Sequence, residues 1–452
     1  MDTIFLETPK QGKLNLKADR VVFFEQMQVM EAHDETTCFT LFFYKQQYLT
    51  AVKTSRVKID SYLGRILKEG SHYGAAHPFL QALIKSHTTP SLRKISYPQL
   101  KQQMEKNRYS RQEQAKILTV FESFIPKKQL FKDIKSLFYQ YRREGNMSGA
   151  YQIVRVLQDF APKNSFVREL GNDLSFKKLE SMYLDKSAKL LERDPFFKEE
   201  CSSMIELRAL FEEEGRYLEA VSIVMADLVE HPTQENYIHY TQLIEHYFPS
   251  EQQIVMLEHL YELIPAFPPL IEDLFRSYVN QKEVVSLIPL IVNHKDILNE
   301  DKLNQMEDLL EASLSDISPT TRLAPLMKIL VEERTGRIDT LFEKYVISLM
   351  SSTDLEQAIA HLNEFPQTLP IVRKVKRMGE IQEDFDSIQE LGISYYELHQ
   401  LDQALDCFQM EMELKPNDPE PLRWIAKIYG AKQMVHEAKI YQQLCADVQK
   451  WA

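Results

Sequence analysis

The sequence predicts a mainly α protein: an array of paired helices preceded by a small strand-containing α/β module. Three observations lead there. Residues 388–416 carry apolar, small and aromatic residues at spacings that suit two antiparallel helices. The same register returns elsewhere in the chain. Only 12 of the 452 residues are glycine while 44% are hydrophobic, a balance that suits a folded, helix-rich chain.

In residues 388–416, Leu391 and Tyr395 lie one helical turn apart and face inward. Gly392 lets a second helix approach closely. On that second helix a small residue, Ala404, sits at the crossing, and Phe408, one turn later, fills the gap. Pro416 ends the unit, since proline cannot continue a helix. With Ile388 in the place of tryptophan, these offsets match a known signature. The stretch resembles the tetratricopeptide repeat family, which implies an α-solenoid whose first helices line a concave binding surface.

The register recurs. Ile425, Ala426, Tyr429 and Ala438 follow 34 positions later, and Leu207, Phe211, Ala220, Val224 and Pro232 precede. Leu137, Phe138, Tyr141, Ala150, Val154 and Pro162 come earlier still. Gly145 and Gly215 each stand five residues before the packing alanine and mark the turn within a pair. The clearest units are therefore 131–164, 201–234, 385–418 and 419–452, with weaker ones around 165–200, 236–270 and 339–372. The array is expected to fill 131–452, after a strand-rich module at 1–60 and a basic helical segment at 61–130.

In the module, residues 3–7, 13–17, 21–30, 37–49 and 51–59 read as extended, with Ala32, His33, Asp34 and Glu35 as a hairpin loop. Both faces of 37–49 carry aromatics, so that strand is expected to be central or covered by a helix. Within 61–130, Ser96 with Gln99 and Ser110 with Glu113 read as capping boxes. Asn107, Arg108 and Tyr109 join the two helices that these boxes begin.

Charge is uneven. Residues 1–145 hold 24 Lys and Arg against 14 Asp and Glu, a net of +10, and the remainder carries −22. The basic part is suited to nucleic acid, an acidic protein, a membrane surface, or the acidic part of its own chain. On the first helix of unit 131–164, Lys128, Lys132, Lys135, Tyr139 and Arg142 recur at spacings of three or four, with Arg143 beside them. If the family's concave face carries over, they form a basic groove with one aromatic. Arg423 and Lys427 make a smaller basic pair in the last unit. Glu212, Glu213 and Glu214 would reverse the sign of the groove in unit 201–234.

Catalysis is not expected, and no cofactor is implied. No phosphate loop, dinucleotide fingerprint or nucleophile elbow occurs. His72 and His77, like His239 and His246, lack metal-ligand spacing. Cys38, Cys201, Cys407 and Cys445 are scattered and read as small core residues in a reducing, cytoplasmic setting. No apolar run is long enough to span a bilayer, and the first residues lack the order of a signal peptide. The expected function is a non-catalytic adaptor or regulatory scaffold that binds a peptide or protein. The alternatives are a nucleic-acid-binding regulator using residues 61–145, or a peptide-sensing repeat regulator.

Overall fold

The computed structural model of the protein describes residues 3–9, 12–85, 92–184, 194, 204–313, 323–333 and 338–451. Two compact units are present, Met1–Ile271 and Glu272–Ala452.

The first unit begins with strands β1 (Thr3–Thr8), β2 (Gly12–Phe24), β3 (Met27–His33), β4 (Cys38–Tyr44) and β5 (Gln47–Lys53), joined by β6 (Ser71–Gly74) and β7 (Leu92–Arg93). Their order is β5-β4-β3-β2-β1-β7, with β6 pairing β2. All neighbours are antiparallel except β1 and β7. At the ends of that order the Tyr48 hydroxyl donates to the Arg93 carbonyl at 2.9 Å, and Thr50 Oγ1 bonds both the carbonyl and the amide of Ile95. The sheet thus curls toward closure, which protects its edges. β4 is central and buried along Phe39–Tyr44, as its two apolar faces require.

Two expected strands prove to be hairpins. The chain turns back at Glu25 and Gln26, and again at Lys45 and Gln46. Glu25, Lys45 and Gln46 adopt left-handed φ values of 51°, 48° and 60°. Such tight turns normally use Gly or Asn, so neither was legible. The sheet also takes β6 and β7 from the segment read as helical, because strands of four and two residues carry no alternation to read.

Helices α1 (Tyr62–Glu69), α2 (Pro78–Lys85), α3 (Tyr97–Lys106) and α4 (Arg111–Val120) follow. Glu113 completes the capping box at Ser110, accepting from the Ser110 amide at 2.7 Å. The helix pairs then run α5 (Lys127–Arg143) with α6 (Met147–Phe160), α7 (Ser165–Gly171) with α8 (Lys177–Leu184), α9 (Met204–Glu213) with α10 (Tyr217–Glu230), and α11 (Gln234–Tyr247) with α12 (Ser250–Leu263). Sheet residues Val22, Val29, Phe42 and Leu49 share one continuous core with Ile66, Leu118, Ile134 and Leu157 from the helices.

Helix α13 (Pro268–Gln281) leads into the second unit, which holds α14 (Val284–Asn293), α15 (Glu300–Ser313), α16 (Ala324–Glu333), α17 (Asp339–Ser352), α18 (Leu355–Leu362), α19 (Pro370–Ile381), α20 (Ile388–Glu397), α21 (Leu401–Leu414), α22 (Pro419–Ala431) and α23 (Val435–Trp451). The basic run 373–379 lies within α19. Both units thus contain successive helix pairs in a solenoid-like arrangement, and the chain is mainly α after its strand-rich start.

One turn repeats through both units. Asn146, Arg216, Glu283, Gln400 and Met434 each donate a backbone N–H to the carbonyl five residues back, on Tyr141, Phe211, Tyr278, Tyr395 and Tyr429. The residue before each donor is left-handed: Gly145, Gly215, Lys282, His399 and Gln433. This is the hydrogen bond that closes a helix C-terminus in a Schellman-type turn. In each case the aromatic of the first helix stands nine positions before Ala150, Ala220, Leu287, Ala404 or Ala438 of the second. The pair of α13 and α14 was not expected from the sequence, since Lys282 stands for Gly and Leu287 for Ala.

The remaining cysteines divide by position. Cys445 is buried and Cys407 half-buried, but Cys38 is exposed, because it opens β4 at the rim of the sheet. Cys201, with residues 185–193 and 195–200 of the unit expected at 165–200, lies outside the described residues. Among the described residues no helix is long and apolar enough to cross a membrane.

Candidate functional site

The basic face forms on α5 because the helix is amphipathic. Leu130, Ile134 and Phe138 recur every four residues and are buried in the shared core. The intervening positions are therefore directed outward. Lys128, Lys132, Tyr139, Arg142 and Arg143 are exposed and Lys135 is half-buried. Tyr139 leaves 43% of its surface to solvent, unusual for an aromatic that packs on a neighbour.

The structure divides this stripe in two. Lys135 folds back over the ring of Phe166, its Nζ 3.7 Å from the ring centroid, and Phe131, Phe138 and Tyr139 surround the same ring at 6.1–6.3 Å. Arg142 turns toward Ser175 at 3.5 Å and Asp173 at 4.0 Å, over the ring of Phe176. Lys128, Lys132 and Arg143 make no ion pair among the described residues and are the charges left for a partner. Phe166 was not singled out in the sequence, since it stands on α7, outside the signature positions.

Several other basic residues of 61–145 are committed, while Lys68, Lys106 and Arg108 are exposed without an ion pair among the described residues. Arg65 forks onto Asp159 at 2.7 and 2.9 Å, and Lys101 meets Asp133 at 2.9 Å. Arg111 pairs with Glu144 at 2.5 Å, Lys116 with Glu25 at 3.1 Å and Lys127 with Glu122 at 2.8 Å. Asp159 and Asp173, with Glu214, come from the acidic part of the chain, so part of the charge asymmetry is resolved internally. A cleft of about 330 Å³ lies beside the Arg65–Asp159 fork, lined also by Tyr62, Lys68, Glu122 and Phe160. Burial pushes the Asp159 carboxyl up, but Arg65 and Lys116 outweigh it and hold it below the usual carboxylate range. These charges neutralise one another.

Arg423 and Lys427 lie in the second unit, on α22. Arg423 pairs with Glu420 at 2.5 Å. Lys427 sits 4.3 Å from the Trp424 ring centroid and 4.6 Å from that of Tyr396, while Trp424 stacks on Phe408 at 5.3 Å. Both cations are exposed but partnered. The acidic trio at the C-terminal end of α9 is also partly used: Glu212 pairs with Arg208, and Glu214, in the turn that follows, with Lys45 and Arg216. Only Glu213 faces solvent without an ion pair among the described residues. No group of three or more His, Cys, Asp or Glu among the described residues is arranged to hold a metal ion.

No family model matches the chain, and no curated protein matches it. Among solved structures it is similar to MamA of AMB-1 at 16% identity, over 39% of this chain and 96% of that one, with a TM-score of 0.17. A MamA mutant gives 16% identity over 40% and 92%, with a TM-score of 0.18. The structure of Naa15/Naa10 bound to HypK-THB gives 13% identity over 77% of this chain and 60% of that chain, with a TM-score of 0.20. At such identities and TM-scores these likenesses carry no argument about what the chain does.

Proposed function

We propose that the protein is a non-catalytic adaptor that holds a peptide or protein segment against the first-helix faces of its tetratricopeptide-like pairs, in the cytoplasm. The observation that carries this reading is the α5 face, where Lys128, Lys132 and Arg143 are exposed around the half-open Tyr139. Cations beside an exposed aromatic suit an acidic segment with apolar anchors. The internal pairing of Arg65, Lys101, Arg111, Lys116 and Lys127 withdraws five cations of 61–145 from a phosphate backbone, which weighs against the nucleic-acid alternative.

The test is affinity capture with the wild type and with a Lys128→Glu/Lys132→Glu/Arg143→Glu variant, alongside RNA and DNA retention at low salt. Loss of one specific protein from the variant supports the adaptor reading. Salt-sensitive nucleic-acid retention lost in the variant replaces it with the nucleic-acid reading. Identical behaviour of the two proteins removes the α5 face from the function.

A further inference from the structure

We infer that the strand-rich module is a brace that fastens two separate sets of helix pairs, α4–α6 and α9–α12, into one cooperative body. In a helical-repeat array each unit touches only its neighbours, so stability is a sum of local terms. The sheet breaks that rule here. The two-residue turn between β4 and β5 reaches both sets at once. Lys45 pairs with Glu113 of α4 at 3.0 Å and with Glu214 of the α9–α10 turn at 3.6 Å. Beside it, the Gln46 side chain donates to Glu219 of α10.

The neighbouring strands add to the seam. Tyr44 donates to Glu113 at 2.9 Å, and Gln28 donates to Glu219 at 3.0 Å. Farther along, Tyr73 of β6 bonds Ser222 of α10 at 2.8 Å, and Phe79 of α2 stacks on Phe248 before α12. Glu219 and Arg216 are each only 3% exposed. Burying such a pair gains little net stability, because desolvation offsets attraction, but it enforces one geometry. The turn itself points the same way. Lys45 and Gln46 keep left-handed backbones that glycine would adopt without strain. Their side chains are what the position requires.

The experiment is native-state hydrogen exchange on the full chain across a denaturant series, comparing wild type with a Lys45→Ala/Gln46→Gly variant. Gly fits the left-handed turn, so the hairpin is retained while both bridging side chains are lost. In the wild type the slowest amides of α4–α6 and α9–α10 should share one opening free energy and one denaturant slope. In the variant those of α9–α10 should exchange about tenfold faster while α4–α6 change little. Different slopes for the two sets in the wild type would overturn the brace outright. That measurement stands even where the variant folds poorly.

Discussion

Gln28 Nε2 donates to Glu219 Oε1 at 3.0 Å across 191 residues of sequence, joining the third strand of the sheet to the second helix of a distant pair. The same carboxylate accepts from Gln46 and faces Arg216 at 3.2 Å. Burial pushes the Glu219 carboxyl up, and Arg216 pulls the other way. Arg216 Nη2 is buried without a hydrogen-bond partner, while its other nitrogens meet Glu214 at 2.9 Å and Glu219 at 3.2 Å.

Replacing Glu219 by Ala should leave Arg216 with Glu214 as its one carboxylate and strip Gln28 and Gln46 of their acceptor, destabilising α9–α10 by about 3 kcal/mol. Glu219→Gln keeps the size and one of the two acceptor oxygens, and should cost about 1 kcal/mol. Hydrogen exchange of the α10 amides reads both. Equal costs for Ala and Gln would show that the charge is not what holds the seam.

Gly392 tests the packing rule from which the repeats were recognised. A Cβ at this position would meet the Phe408 ring at 2.9 Å and Cys407 Cβ at 3.1 Å. Phe408 is fully buried and stacked on Trp424, so it has nowhere to move. Gly392→Ala should cost about 1–3 kcal/mol. Gly430, on α22, meets nothing within 4 Å, and Gly430→Ala should instead stabilise by about 0.5–1 kcal/mol through helix propensity. Urea unfolding followed by Trp424 fluorescence compares the two. Changes of the same sign would defeat the close-approach argument.

The repeat register was legible where side chains do the packing. Tyr395 with Ala404 and Tyr141 with Ala150 mark their pairs because an aromatic is followed by a small residue nine positions on. The turn between them was legible only at Gly145 and Gly215. At Lys282, His399 and Gln433 the same left-handed backbone is carried by ordinary residues, and no local signal announces it. The α5 face was half legible. Periodicity shows that Lys135 and Arg142 point outward, but not that Phe166 and Asp173, on later elements, engage them. The buried seam was illegible altogether, since Glu113 reads as a capping residue and Glu219 as a solvated helix charge.

His399 gives a direct check on that turn. It is exposed, with φ of 58°, so its side chain contributes little while its backbone pays for a conformation that glycine adopts freely. His399→Gly should raise the stability of the α20–α21 pair by about 0.5–1 kcal/mol. A shift of the urea midpoint to lower concentration would mean that the imidazole makes a stabilising contact.

The last prediction concerns acid. His77 is 4% exposed, its Nδ1 accepts from the Phe79 amide at 3.2 Å, and its Nε2 is buried without a partner. Its ring lies 4.5 Å from that of Tyr73 and 5.1 Å from that of His259, which in turn faces Glu262 at 3.7 Å. Burial first, and the nearby His259 second, push the His77 pKa down to about 3. An unfolded histidine titrates near 6.5. The folded state therefore favours the neutral ring, and this contribution is fully present above about pH 6.5. As pH falls from there toward 3, the unfolded chain takes up a proton that the folded chain refuses. Stability should drop by about 1.4 kcal/mol per pH unit for this group. His77→Phe keeps an aromatic against Tyr73 and Phe79 but loses the bond to the Phe79 amide, so it should be less stable than the wild type at pH 7.5 by about 1 kcal/mol. Its pH slope should be smaller by one proton, so the two stability curves should converge and then cross as pH falls. Hydrogen exchange of α2 and α12 amides between pH 7.5 and 4.5, corrected for intrinsic rates, measures this. Parallel curves would mean that His77 is protonated in the folded state and that the ring is not held neutral by burial.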